Sequence, residues 1–258
     1  MPLKKALILS LFVILLTNAR ARGATYFFVT FQYPPLAYEN ADHTPGGIFV
    51  DMLSGIMHRL GHQVRVEVLP WTRALDMVRQ GEADAIFTAY KNRERETFLD
   101  YPEQVLFPQA VYFYKKQASP ATFDGNLAAL RQKRIGVVST ISYGNVFDNL
   151  KPGLSLEKAS RLEHNFTKLI LGRIDLLPSD NIVAENVIRQ MGIGSQVTRI
   201  PVQVDSVPSY IAFSKKRGLT QLITGIDREI KQMKETGQYH AMLAGAGISL
   251  NKAARLLP

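Results

Sequence analysis

The chain switches between strand-like and helix-like hydrophobic spacing in a fixed order, and it does so twice. Thr25–Phe31 (TYFFVTF) is dense in β-branched and aromatic residues, which predicts a buried strand. After a Pro/Gly loop, Phe49, Met52, Leu53, Ile56, Met57 and Leu60 recur at helical spacing, so they share one face of a helix that Gly61 closes. Gln63–Leu69 (QVRVEVL) alternates polar and apolar residues as a strand does. Thr72 is placed to cap a second helix, with Ala74, Leu75 and Val78 facing inward and Gly81 at its end. Asp84–Thr88 (DAIFT) predicts a third short strand. Such a βαβαβ run argues for an α/β layered domain with a largely parallel sheet.

The pattern then restarts. Arg134–Ser139, Ile174–Leu177 and Gln196–Val202 predict strands, while Asn165–Leu171 and Asn181–Met191 predict helices. Tyr210–Ser214 and an amphipathic helix over Leu219–Thr236 close the chain. Two α/β units joined around Tyr112–Lys116 predict two lobes. No Gly/Ser-rich linker separates them, so the joint is expected to be a hinge of extended strands.

The first residues set the expected compartment. Lys4 and Lys5 precede an uncharged run from Ala6 to Ala19, and Ala19-Arg20-Ala21 supplies the small residues a signal peptidase requires. The apolar run is about 14 residues, where a spanning helix needs roughly 20. Residues 1–21 therefore read as the cleaved signal peptide of an exported protein. Export gives the formal net charge of +9 a bland meaning. Its clusters at Lys115-Lys116, Lys133-Arg134 and Lys215-Lys216-Arg217 are short and not interleaved with aromatics, so nucleic acid is not an expected partner. The absence of cysteine removes disulfides, thiolate chemistry, lipoprotein anchoring and Cys-based metal sites together.

Catalytic signatures are sparse. His58 and His62 fall four apart, but Gly61 interrupts the helix and no Glu stands where an HExxH site needs it. Gly192-Ile193-Gly194 lacks a third glycine and follows a helix, so it reads as a turn. Neither a metal nor a cofactor is expected. What remains is a set of residues at strand ends, where open α/β sheets bind ligands.

Those residues carry a family resemblance. Tyr33-Pro34-Pro35, Gly46–Asp51, Gly81–Thr88 and Arg93–Glu96 follow one another as in the family 3 periplasmic solute-binding proteins, the receptors of polar amino-acid ABC importers. Lys133–Tyr143 (KRIGVVSTISY) resembles the opening of that family's second lobe, Gly172–Asp180 (GRIDLLPSD) its ammonium-binding strand, and Tyr210–Lys216 with Met233–Tyr239 the return to lobe one. The resemblance implies a two-lobed α/β periplasmic binding protein fold, each lobe a mixed, mainly parallel sheet flanked by helices, with the ligand cleft between the lobes. Residues 22–112 would form the first part of lobe 1, residues 113–207 lobe 2, and residues 208–258 the return segment with the C-terminal helix. It further implies a monomer that closes on a small solute, most often an amino acid, and delivers it to an inner-membrane ABC permease.

Residue by residue, Arg95 matches the arginine that forks onto an α-carboxylate, Thr88 the hydroxyl at the strand end, and Ser142 a donor from the second lobe. Asp180 matches the acid that receives an α-ammonium, and Tyr33 the aromatic lid. A zwitterion leaving water needs both charges met. Trp71 and Arg73, at a helix start, are further candidates to face the cleft. Plainer roles stand beside these: Arg95 as a solvated loop charge, Asp180 as a helix N-cap, Tyr33 as core, Trp71 as wall packing and Arg73 as a solvent-facing charge. The sequence departs from the family at Ala89-Tyr90-Lys91-Asn92, one residue short, where Tyr90 and Lys91 replace small carboxylate donors. The same scaffold also serves periplasmic cyclohexadienyl dehydratases, for which Glu39, Glu103 and Lys91 would be the proton carriers to consider, and ligand-sensing inputs to membrane receptors.

Overall fold

The computed structural model describes residues 23–139 and 141–248. The signal peptide expected over residues 1–21, residue 140 of the segment opening the second lobe, and residues 249–258 lie outside the described residues. In chain order the elements are β1 (Thr25–Thr30), β2 (Tyr38–Glu39), β3 (Pro45–Gly46), α1 (Ile48–Arg59), β4 (Gln63–Val68), α2 (Trp71–Gln80), β5 (Ala85–Tyr90) and the single turn α3 (Arg93–Glu96). There follow β6 (Leu99–Asp100), β7 (Phe107–Lys116), β8 (Arg134–Val138), α4 (Asn145–Leu150), β9 (Ser155–Ala159) and α5 (Leu162–Ile170). Last come β10 (Leu177–Asp180), α6 (Asn181–Met191), β11 (Val197–Ser214), α7 (Thr220–Glu235) and α8 (Gln238–Gly245).

One mixed sheet runs in the order β10-β7-β11-β5-β1-β4, with β6 also paired to β11. β1 lies parallel to β4 and β5, as the first βαβαβ run requires, while β11 runs antiparallel to β5, β6 and β7. β8 and β9 form a separate parallel pair, tied to the chain before β10 by a bridge between Ile135 and Leu176. The α1 face is buried as its spacing demands: Phe49, Met52, Leu53, Ile56 and Met57 pack with Phe28, Phe87 and Phe213 of the sheet and with Leu222, Ile226 and Ile230 of α7. Each such side chain removed from water contributes about 1.5–3 kcal/mol before entropy is counted. On the sheet's other face, Ala74 and Val78 of α2 pack against Val29, Ile86 and Ala212.

Strand β7 builds the second unit by simple alternation. Val111 and Phe113 point into a core with Ile135, Tyr143 and Phe147, while Ala110, Tyr112 and Tyr114 point into another with Phe166, Leu177, Ala184 and Val187. Two long antiparallel strands, β7 and β11, thus connect the units.

Four sequence expectations shift, the first only in its bounds: the helix expected at Asn165–Leu171 is Leu162–Ile170. Thr72 does not cap α2: the helix starts at Trp71, Pro70 takes the N-cap position with ψ 135, and no side chain caps it. Proline supplies the fixed φ and the extended ψ that the position needs, and Thr72 lies exposed in the first turn. The strand expected at Ile174–Leu177 begins at Leu177 instead, because Ile174 and Leu176 are buried individually while the ladder to β7 starts with Leu177 opposite Tyr114. Gln196–Val202 and Tyr210–Ser214 belong to one strand of 18 residues. Its middle, residues 202–206, is half-buried throughout and its register with β7 shifts on either side of Gln203. The polar–apolar contrast that marks a strand is lost there.

Candidate functional site

Strand ends and two loops converge on a cleft walled by Phe31, Tyr33, Trp71, Thr88, Tyr90, Arg95, Gln109, Ile141 and Ser142. The backbone at Thr88 is strained. Phe87 pairs with Ile211 and Ala89 with Tyr210, so Thr88 is bulged out of the ladder, and its φ is 65. A β-branched residue in the left-handed region costs of order 1–3 kcal/mol and is held only by its surroundings. The buried Thr88 hydroxyl donates to the Phe87 carbonyl at 2.5 Å.

Arg95 is positioned by α3, whose N-cap Asn92 accepts from the Arg95 amide at 2.9 Å. The side chain turns inward and is 8% exposed. Its Nη1 donates to the Tyr90 carbonyl at 2.9 Å, and its guanidinium sits 4.8 Å from the centre of the Trp71 ring. No carboxylate among the described residues comes within ion-pair range of it. Burial holds its pKa below the usual guanidinium value, although a guanidinium remains charged in proteins. Trp71 meets Phe31 edge-on at 5.1 Å, and Phe31 meets Tyr33 at 4.9 Å, so a row of rings leads away from the cation.

Gln109 of β7 organises the opposite wall. The Tyr33 hydroxyl donates to its Oε1 at 2.5 Å, and the Tyr90 hydroxyl donates to the same oxygen. Burial first, and the nearby Asp180 second, push both phenols well above their ordinary range, so both stay protonated donors. Ser142 donates to Asp148 Oδ2 at 2.5 Å, and Asp148 Oδ1 is met by Lys151 at 2.7 Å and by the Tyr143 amide at 3.2 Å.

Six of the seven expected residues therefore sit at or behind one cleft. Tyr33, Trp71, Thr88, Arg95 and Ser142 line it directly. Asp180 lies behind the wall, 5% exposed, as the N-cap of α6. Its Oδ1 accepts from the amides of Ile182 at 3.0 Å and Val183 at 3.2 Å, while Oδ2 is buried without a hydrogen bond, and the Ala110 amide only helps to favour its charge. Burial pushes this carboxyl up to about 7.

Arg73 is the correction: it is exposed and no part of the wall, because two positions along a helix from Trp71 is more than half a turn. Lys91 also points out, pairing with Glu96 at 3.2 Å, whereas Tyr90 before it points in. Glu39, paired with His43 at 2.9 Å, and Glu103 are exposed and outside the wall. Sequence reasoning missed Phe31, Gln109 and Ile141 as wall residues. Gln109 could have been found, since it is the lone amide in the apolar run from Val105 to Phe113. Among the described residues no group of three His, Asp or Glu side chains could hold a metal, and no helix is long and apolar enough to cross a membrane.

A mixed sheet carried by two long connecting strands, with a cleft between its two α/β units, defines a two-lobed binding protein fold. The chain belongs to the bacterial extracellular solute-binding proteins, family 3, whose profile matches residues 27–245. No curated protein sequence matches it. Among solved structures, a histidine kinase sensor domain with similarity to periplasmic binding proteins shares 18% identity at a TM-score of 0.75, covering 88% of this chain and 97% of that one. An ancestral arginine-binding protein bound to arginine shares 22% identity at 0.69, covering 86% and 97%. An ancestral amino acid-binding protein, a precursor of cyclohexadienyl dehydratase, shares 18% at 0.69, covering 89% and 98%. At these identities the likeness is one of fold.

Proposed function

We propose that the protein is a periplasmic receptor that closes on a small solute through the solute's carboxylate and delivers it to an ABC importer. The observation that carries this reading is Arg95: a buried cation, stacked on Trp71, with no carboxylate partner among the described residues. An uncompensated buried charge is costly, so a cleft built around one is completed by an anion. Amino acids bring that group, and an arginine-bound protein is among the neighbours of this fold. In this reading the lobes are residues 22–112 with 208–258, and residues 113–207, and residues 1–21 are removed on export. Arg95, Trp71 and Thr88 come from the first lobe, and Ile141 and Ser142 from the second. A ligand touching both sets favours the closed state by its difference in affinity for the two states. Glu39, Glu103 and Lys91 lie outside the wall, which leaves a dehydratase-like reaction without these carriers.

A thermal-shift screen over amino acids and small organic anions tests the reading, because a ligand at 100 times its Kd adds roughly 2.7 kcal/mol to stability. Hits should vanish in Arg95→Ala. Hits that survive that change would overturn the assignment of the anion site.

A further inference from the structure

We infer that the solute of this cleft is an organic acid without a charged amine, a small carboxylate carried on an apolar or ring-shaped body. The inference rests on the reading of Arg95 as the anion site and narrows what that site accepts.

Hydrogen-bonding capacity in the wall is lopsided. Arg95 spends one N–H on the Tyr90 carbonyl and keeps the others. Gln109 Oε1 takes the hydrogens of both Tyr33 and Tyr90, which fixes the amide's orientation and leaves Nε2, a pure donor, with no hydrogen bond among the described residues. Arg95 and Gln109 together suit a carboxylate. A desolvated ammonium needs an anion in return, not merely lone pairs. The hydroxyls of Thr88 and Ser142 have only lone pairs to offer, since their hydrogens go to the Phe87 carbonyl and to Asp148.

The half-buried Asp148 and the buried Asp180 reach wall residues by hydrogen bond or by charge, and neither is available. Asp148 is already paired with Lys151 and bonded by Ser142 and the Tyr143 amide. Asp180 is absent from the wall, while Tyr33 and Tyr90, which feel its charge, are in it. One of its oxygens caps α6 and the other is sealed off. With its carboxyl pushed up to about 7, Asp180 also carries only part of a charge at neutral pH. The rest of the wall, Phe31, Tyr33, Trp71, Tyr90 and Ile141, is apolar surface for the body of the acid.

The test is calorimetry on matched pairs that differ only in the α-amino group: 3-phenylpropanoate with L-phenylalanine, 4-methylpentanoate with L-leucine, and 5-guanidinopentanoate with L-arginine. The desamino acid is expected to bind at least about tenfold more tightly in every pair that binds at all. An amino acid that equals or exceeds its partner overturns the inference. If its binding is also lost in Arg95→Ala, the carboxylate reading of the site survives. Absence of binding by every acid and amino acid would overturn the carboxylate reading itself, and the inference with it. Gln109→Glu supplies a second arm, since Glu still accepts from both tyrosines but replaces the donor with a negative charge. It should weaken the best-bound acid by at least about tenfold with the thermal transition retained. An unchanged affinity would remove Gln109 from the anion site.

Discussion

Asp180→Asn isolates one buried carboxyl, and its effect on stability should depend on pH in a way that can be worked out in advance. In the folded protein burial pushes this carboxyl from 3.8 up to about 7. In the unfolded chain it titrates near its ordinary value. Below about pH 4 both forms hold the proton, so the group's favourable contribution is fully present. As pH rises from about 4 to 7 the unfolded chain has lost the proton and the folded one retains it, so each pH unit withdraws about 1.4 kcal/mol of stability. Above about 7 the loss levels off, at an upper bound on the order of 4 kcal/mol. Asn keeps an oxygen for the Ile182 and Val183 amides but has no proton to lose. The free-energy difference, wild type minus variant, should therefore fall by about 3 kcal/mol between about pH 4.5 and 8, while other titrating groups cancel. Urea unfolding of both ligand-free proteins, followed by far-UV circular dichroism at several pH values, measures it. Two stability curves that stay parallel across that range would refute the account of Asp180 as a buried, high-pKa cap.

Arg95→Ala should weaken ligand binding by about 2–5 kcal/mol, the cost of truncating one member of a buried charge pair, and Arg95→Lys should be nearly as damaging because an ammonium cannot fork onto a carboxylate. Both should leave the ligand-free melting temperature close to wild type, since the Tyr90 carbonyl still accepts from the Tyr101 hydroxyl at 3.0 Å. The exposed Arg93 is the control: calorimetry of Arg93→Ala should show a change well under about 1 kcal/mol. Thr88→Val keeps the branched side chain at φ 65 but loses the hydroxyl's bond to Phe87, so chemical denaturation should show a loss of about 1 kcal/mol. Gly144→Ala places a Cβ 2.0 Å from Asp205 Oδ2 at a backbone φ of 99, and should lower stability by about 1–3 kcal/mol in the same assay.

Local periodicity determined much of this protein before any coordinates. The buried stripe of α1, the span Asn181–Met191 of α6 and the parallel order of the first sheet all follow from contacts within a few residues or between neighbouring elements. The string of motifs also marked Arg95, Thr88, Ser142 and Tyr33 as candidates for one cleft. Tertiary structure decided their company. Tyr33 and Gln109 are 76 residues apart and neither carries a sign of the other, yet their hydrogen bond fixes which end of the amide is free. Helix phase, set by where Trp71 packs, turned Arg73 to solvent, and the alternation at the end of β5 sent Tyr90 in and Lys91 out. Asp180 shows the division most plainly. Its place at the end of β10 was legible from the segment Gly172–Asp180, but whether its carboxylate greets a ligand or seals a helix depends on which neighbours exclude water from it. Burial is a property of the assembled core, and a side chain's charge and reach follow from burial.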